Sequence, residues 1–473
     1  MIEDLKPYPQ YKDSGLPWLG QVPAHWTVLR IKTVLQETDR RSQEGTETLL
    51  SLTRIRGLIP HREMTEKMYG AKTLVGYKKY RAGQLVMNRM QAWSGMFGAN
   101  ENNGLVSPDY AVFDVLGKHS VQFILERIKS PDLVGQFALE SKGIGSGFNR
   151  LYTDRFGQIA ISLPPPSEQA AIARFLAWAT NRLDRAIGAK RRIIALLQEQ
   201  KQAIIQRAVT RGLDPSVPLK DSGIPWLGEI PEHWEVRRLR HLIKERLTYG
   251  ANAAAEFSNP DWPRYIRITD FLADGSLKAE TFRSLPPAVA ADYIVKPGDI
   301  LFARSGATVG KTFLVKMLTG EACHAGYLIR ARPDQTLVHP EYLFAFTQSS
   351  AFSSWRDCTF NTATIQNIGA DKYANLVVPL PSLPEQVVIL RSVAIEQRPI
   401  LAAISRLESE VTLLREYRTR LIADVVTGKL DVREVAKGLP EEDLQGQPNV
   451  AAVYDADEAE DDPASEPIGN SDD

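Results

Sequence analysis

KDSGLPWLGQVPAHW, from Lys12 to Trp26, returns as KDSGIPWLGEIPEHW, from Lys220 to Trp234. Eleven of the fifteen positions are identical at a constant offset of 208, so the chain carries an internal duplication. A second pair follows at an offset of 217: LPPPSEQAAI from Leu163 and LPSLPEQVVI from Leu380 each open a long helical stretch. Those stretches end alike, in VTRGLD at Val209 to Asp214 and VTGKLD at Val426 to Asp431. Between the paired segments lie two variable blocks, roughly residues 29–161 and 236–378, so the order is variable block, helix, variable block, helix.

Inside the blocks only patches match. YKKYRAGQLVMNR, Tyr77 to Arg89, resembles YIVKPGDILFAR, Tyr293 to Arg304; each has an apolar run after a glycine turn, as a buried strand requires. Short apolar runs punctuated by Gly, Pro and Asn around Leu49 to Leu58 and Tyr265 to Leu272 make each block a mixed, strand-rich domain.

The helical stretches differ in kind. From Ser167 to about Arg211, apolar residues fall at Ile172, Leu176, Ala179, Leu183, Ala186, Ile193, Leu197 and Ile204, interrupted by Lys190 and Gln200. The counterpart keeps Ile400, Leu407, Leu414 and Leu421 at seven-residue spacing. Ser167 is expected as N-cap with Glu168 as a first-turn carboxylate, and Pro399 is expected to start or kink the second helix. At 1.5 Å per residue such a helix spans on the order of 65 Å, more than one domain needs, and so reads as a spacer. The expected fold is α+β: two mixed αβ domains separated by two antiparallel, coiled-coil-like helices with pseudo-two-fold symmetry. The competing reading is two core helices buried separately.

Composition bounds the chemistry. A chain of 473 residues with 43% hydrophobic and 24% charged residues is a globular protein of more than one domain. Its zero net charge conceals segregation: residues 439–473 hold 12 Asp or Glu and no Lys or Arg, leaving 57 basic against 45 acidic groups in the rest, an excess of 12. A basic body suits a polyanionic partner. The acidic tail is expected to be disordered, with a polyanion-mimicking, self-regulatory role as one hypothesis. Cys323 and Cys358 fit no metal-ligand spacing and no disulfide framework; with neither signal-peptide pattern nor bilayer-length apolar run, the expected location is cytoplasmic.

In the combination of repeated GLPWLG-x-x-P-x-HW-type segments, LPxxxEQ helix starts and VTxxLD helix ends, residues 8–433 resemble the specificity subunit of Type I restriction-modification enzymes. The resemblance implies target-recognition domains at 1–165 and 213–381, spacer helices at 166–212 and 382–433, and a tail at 434–473. It implies no catalysis by this chain, which binds double-stranded DNA, two modification (methyltransferase) subunits on its helices, and restriction subunits. S-adenosylmethionine, ATP and Mg would sit on those partners, with no cofactor or metal here. A related phage-defence assembly on the same scaffold is the alternative. Pro399 and the acidic tail are departures. Two different blocks on one scaffold imply an asymmetric bipartite target, with half-sites set apart by helical repeats of about 34 Å per turn.

Base reading needs paired donors or acceptors on loops held by a rigid scaffold. In the first block Arg54, Arg56, Arg89, Gln91, Asn149 and Arg150 qualify, and in the second Arg267, Thr269, Arg304, Lys311, Asn361 and Gln366; for each, an ordinary surface role is the competing reading. Lys78, Lys79 and Arg81 read as phosphate anchors. Leu176, Leu183, Leu197, Ile204, Ile400, Leu407, Leu414 and Leu421 read as the partner-binding helix seam.

Three catalytic lookalikes match their motifs poorly, and a nuclease or NTPase built on them stays as a rival reading, beside a coiled-coil scaffold that does not touch DNA. GATVGKT, Gly306 to Thr312, is one residue short of a phosphate-cradling loop. Asp132, Glu140 and Lys142 are too tightly spaced for a metal-dependent nuclease set. SNPDW, Ser258 to Trp262, lacks the second Pro of an amino-methyltransferase loop. The repeated Trp18, His25, Trp26 and Trp226, His233, Trp234 have no carboxylate or nucleophile nearby in sequence and are assigned to packing between helix and domain.

Overall fold

The computed structural model describes residues 5–54, 56–64, 73–143, 149–272, 275–359 and 367–440. They form two compact units, one containing the described residues up to Arg192 and again from Leu407, the other running from Ile193 to Arg406. Both long helices are thereby divided between the units.

Each unit is built around a four-stranded antiparallel sheet. In the first, the strand order is Leu35–Thr38, Tyr110–Val115, Leu85–Asn88, Phe97–Gly98. The second repeats it with Thr248–Tyr249, Leu328–Ala331, Ile300–Ala303 and Thr312–Leu314. The apolar runs seen in the sequence are the central strands, and alternation explains why they contain almost nothing polar. Leu85 and Met87 enter one core, beneath Phe123 and Phe137 of the helices Val121–Ile128 and Pro131–Glu140. Val86 points into a separate core with Leu50, Leu52 and Leu58. Ile300 and Phe302 against Leu301 and Ala303 divide between two cores in the same way. A strand covered on both faces must be apolar at every position.

The ends of each block are tied together. Thr27–Arg30 pairs antiparallel with Ala160–Leu163, and Glu235–Arg238 with Val377–Leu380, so each block closes immediately before its helix begins.

The first long helix is Pro166–Arg211, 46 residues or about 70 Å at 1.5 Å per residue, and the second is Leu383–Val426, 44 residues. Two local expectations change. Pro166 takes the first helical position, where its missing N–H is no loss, so Ser167 lies within the first turn and does not cap it. The second helix starts at Leu383 and continues through Pro399. An interior proline costs about 3 kcal/mol in an unsupported helix; here Ile400 and Ile404, both buried, anchor the turn that follows.

Within the first unit, Asp184 pairs with Arg418 at 3.2 Å and Lys190 with Glu410 at 2.6 Å, numbers rising on one helix as they fall on the other. Within the second, Lys201 carbonyl accepts from Gln397 at 3.3 Å and Arg207 meets Glu396 at 2.9 Å. In both units the helices run antiparallel.

The repeated motifs meet at the helix ends. Trp26, wholly buried, donates its indole N–H to Glu168 at 2.9 Å; His25 Nε2 lies 2.7 Å from the other oxygen, and the Tyr8 hydroxyl donates at 2.7 Å. Burial, and then this bond to Glu168, push the Tyr8 phenol well above its ordinary value. In the second unit Trp234 donates to Glu385 at 2.9 Å and His233 lies 3.1 Å away. The glutamine after each glutamate closes the same joint: Gln169 accepts from Ser120 N and donates to Pro164 O, while Gln386 accepts from His339 N and donates to Pro381 O.

Each tryptophan also touches the far end of the other helix. Gly428, just past the second helix, packs so closely on Pro23 and Trp26 that an added Cβ would lie 2.6 Å from the proline ring. Gly212, just past the first, faces Trp234. Both have positive φ, the left-handed conformation that ends a helix. Thus Trp26 joins the start of the first helix to the end of the second, and Trp234 the start of the second to the end of the first. The N-terminal segment completes the joint, with Lys6 bridged to Asp431 and the Tyr11 hydroxyl donating to Gly428 O at 3.1 Å.

Candidate nucleic-acid interface

The loop after each central strand is held by equivalent main-chain bonds. In the first unit Leu151 N donates to Arg89 O at 2.9 Å, and in the second Ile368 N donates to Arg304 O at 2.8 Å. These bonds bring segments far apart in sequence to one place: Asn149 and Arg150 beside the loop Arg89 to Met96, and residues 367–369 beside the loop Arg304 to Lys311. In the first unit a third segment joins, because Arg54 in the turn between Leu50–Thr53 and Gly57–Pro60 donates to Ser94 at 3.3 Å. Arg54, Arg56, Arg89, Gln91, Asn149 and Arg150 therefore share one loop cluster.

Within that cluster the residues differ in availability. Arg54 and Asn149 are exposed. Arg150 lies 5.8 Å from the Tyr152 ring and 3.5 Å from Asp109. Gln91 accepts from Asn88 at 2.9 Å. Arg56 is engaged with Glu63 at 3.1 Å, and Arg89 donates to the Asp109 and Pro108 carbonyls at 2.8 and 3.3 Å. Two aromatic residues that the sequence did not single out, Trp93 and Tyr152, present exposed rings there.

Of the phosphate-anchor candidates, Arg81 is exposed, and Lys79 is exposed in a 2.9 Å pair with Glu47. Hydrogen bonds from Ser42, then from Lys79, hold the Glu47 carboxyl down at about 2. Lys78 is only 2% exposed, 3.8 Å from Asp39 and 3.9 Å from Glu37, and burial pulls its ammonium below the usual lysine value. Strand alternation accounts for the split: in Lys78–Tyr80, positions 78 and 80 point inward and 79 outward.

In the second unit the Arg304 guanidinium stacks over Tyr249, 4.7 Å from the ring centroid. The Tyr249 hydroxyl accepts from Ala370 N at 3.0 Å, and Ser305 bridges to Asn367. Lys311 is exposed at the end of the loop. Arg267 is locked to the buried Asp270 at 2.9 Å and to Thr281 O at 3.0 Å; Thr269 is exposed beside it. No hydrogen bond among the described residues joins Arg267 or Thr269 to the Arg304 loop. Asn361 and Gln366 lie outside the described residues.

The catalytic lookalikes have other roles. GATVGKT lies in the connection between the antiparallel strands Ile300–Ala303 and Thr312–Leu314; it holds one 3-10 turn, Gly306–Thr308, and leads into a strand in place of the α-helix whose N-terminus a phosphate-cradling loop presents. Asp132 is tied to the wholly buried Arg127 at 2.8 Å, and Glu140 faces Arg155 at 3.7 Å. Among the described residues no group of three or more His, Cys, Asp or Glu could hold a metal ion, and no helix is long and apolar enough to cross a membrane.

The helix seam faces inward. Leu176, Leu183 and Leu421 are buried in the first unit's core, with Leu414 packed against it; Ile400 is buried in the second unit, where Ile204 packs on the core. Leu197 and Leu407 are half-buried. The side chains that could meet another protein lie on the opposite faces: Ile193, Leu196, Val388, Ile395 and Leu401 in the second unit, Leu413 and Tyr417 in the first. A seven-residue count finds the stripe that packs, but Ile193, which the sequence pattern placed in the first helix's apolar stripe, faces outward.

Two topologically equivalent units, each presenting a loop cluster of arginine, amide and aromatic side chains beside long antiparallel helices, define a duplicated recognition protein. Residues 231–401 match the family profile described as the Type I restriction modification DNA specificity domain. The chain is 24% identical over 303 residues to the Type I restriction enzyme MjaVIII specificity subunit of Methanocaldococcus jannaschii, an alignment covering 63% of this chain and 68% of that one. It is 26% identical over 298 residues to the EcoKI specificity subunit of Escherichia coli, covering 61% and 60% of the two chains. A chain solved in work on complex assembly and conformational transition of the type I R-M system superposes with a TM-score of 0.61 at 15% identity, over 86% of this chain and 99% of that one. The fold is thus shared with that solved chain, and in sequence the chain is similar to the specificity subunits of Type I restriction-modification enzymes.

Proposed function

We propose that each unit reads one half of an asymmetric, bipartite double-stranded DNA target, that two methyltransferase subunits dock along the helices, and that restriction subunits join the resulting complex. The observation that carries this reading is that equivalent backbone frames hold non-equivalent side chains. The same main-chain bond supports Arg89 and Arg304, yet the surrounding residues are Arg54, Gln91 and Arg150 in one unit and Tyr249, Lys311 and Asn367 in the other. Identical scaffolds with different readers suit two different half-sites, while the basic excess of the body supplies sequence-independent attraction to phosphate. Methyl transfer and its donor belong to the partners. The outward apolar residues of the helices, in place of the buried seam, are the surface for them.

Exchanging residues 29–161 of this chain for the corresponding block of a related specificity subunit, and sequencing methylated positions in host DNA, tests the reading. One half-site should change and the other persist. Methylation unchanged at both half-sites, or altered at both, would refute a division of labour between the units.

A further inference from the structure

The geometry points to Arg304 as a guanine-reading, specificity-determining residue of the second unit, held ready by Tyr249 as a positioning residue. The inference rests on the DNA-recognition reading above and assigns a chemical task within it.

Three observations converge. The Arg304 main chain is fixed on both sides, its N–H donating to Tyr327 O at 3.0 Å and its carbonyl accepting from Ile368 N at 2.8 Å. Its guanidinium lies over the Tyr249 ring at 4.7 Å, and that ring is itself tethered through its hydroxyl to Ala370 N at 3.0 Å. No described residue forms an ion pair with this guanidinium or accepts a hydrogen bond from it, and its Nε is buried without a partner. A planar cation stacked on an aromatic face keeps its in-plane N–H groups available, and those groups match the paired O6 and N7 acceptors of guanine in the major groove.

The first unit supplies an internal control. Arg89 follows the equivalent strand and carries the equivalent main-chain bond, but its side chain donates to the carbonyls of Asp109 and Pro108. Equivalent arginines are thus committed in one unit and available in the other. The second unit's half-site should contain a guanine whose recognition has no counterpart through Arg89 in the first.

The test is selection of bound sequences from a randomised duplex library by the full chain with its methyltransferase subunits. Arg304→Ala should flatten preference at one guanine of one half-site, reducing discrimination there by roughly 5- to 150-fold, with the other half-site unchanged. Tyr249→Ala should weaken preference at the same position, and Tyr249→Phe, which keeps the ring face, should restore most of it. Arg89→Ala, in the other unit, should leave preference at that guanine intact whatever it does to the first half-site, and loss of that preference in it would overturn the assignment to Arg304. A uniform loss of affinity with the consensus preserved would make Arg304 a phosphate contact and overturn the assignment, as would an unchanged consensus. Arg304→Lys covers the case in which the alanine variant does not fold: it keeps the charge but not the fork, and undiminished guanine preference in it would equally overturn the proposal. Absence of any consensus for the unaltered protein would instead defeat the DNA-recognition reading itself.

Discussion

Replacing Glu168 by Ala should destabilise the first unit by more than the equivalent change, Glu385→Ala, destabilises the second. Glu168 accepts from three groups, and two of the donors, the Trp26 indole and the Tyr8 hydroxyl, are 0% and 3% exposed. The side chain of Glu168 is 5% exposed, so water replaces little of what the variant removes. Breaking a buried charged arrangement from one side costs about 3–5 kcal/mol. At Glu385 the carboxylate is 29% exposed and its histidine partner 53%, leaving Trp234 as the one buried donor, and the loss should be about 1–2 kcal/mol. At about 2–4 °C per kcal/mol for a unit of this size, the first unit should melt roughly 10 °C lower and the second roughly 4 °C lower. Amide hydrogen exchange read on peptides from Val121–Ile128 and Pro340–Thr347 assigns each loss to its unit. Glu168→Gln should recover most of the difference, because Trp26 and Tyr8 bond the same oxygen, Oε1. Equal losses in the two units, or none in the first, would refute the claim that the buried carboxylate organises the joint.

Three further outcomes follow from the same geometry. Burial alone would raise the Asp132 carboxyl, but Arg127 and Ser130 hold it below its ordinary value. The contribution of this pair is complete above the usual aspartate range and is lost as pH falls through the lower folded value, so Asp132→Asn should flatten the acid limb of a urea-midpoint-against-pH profile; an unchanged limb would count against the pair. Gly428→Ala should cost roughly 2–4 kcal/mol in denaturant titrations, through left-handed backbone strain plus a clash with Pro23 and Trp26, whereas Gly212→Ala, with its nearest contact at 3.5 Å, should cost about 1 kcal/mol; similar values for both would remove the clash from the explanation. Leu196→Asp with Ile395→Asp, both on the outward helix face, should abolish co-purification of methyltransferase subunits while leaving the fold intact by circular dichroism, and intact co-purification would place the docking surface elsewhere.

Much of this architecture was legible because it is written twice. Duplication marked the helix starts and ends, and an unbroken apolar run after a glycine turn made Leu85–Asn88 and Ile300–Ala303 readable as buried strands. Partnerships at long separation were not legible. His25 and Trp26 showed no acidic neighbour in sequence, yet Glu168, 143 and 142 residues away, is their acceptor. Recurrence of HW and EQ as paired motifs was the available signal. Charge alone also misdirected: Lys78 and Lys79 are adjacent and chemically identical, but strand alternation buries the first and exposes the second. The aromatic residues beside the reading loops, Trp93, Tyr152 and Tyr249, became visible only when folding brought segments together.

The stitching of Lys6 to Asp431, and of Tyr11 to the turn at Gly428, makes the polypeptide closed in all but its covalent connection. Cutting it near Ser216 and splicing residue 438 to residue 5 would yield a circular permutant that retains both tryptophan joints. The order of the two units in the gene is therefore expected to be free to change without loss of either joint. By the same logic, a half-length polypeptide of one block and one helix has complementary ends for a second copy of itself, and under the proposed half-site reading such a homodimer would recognise a palindrome.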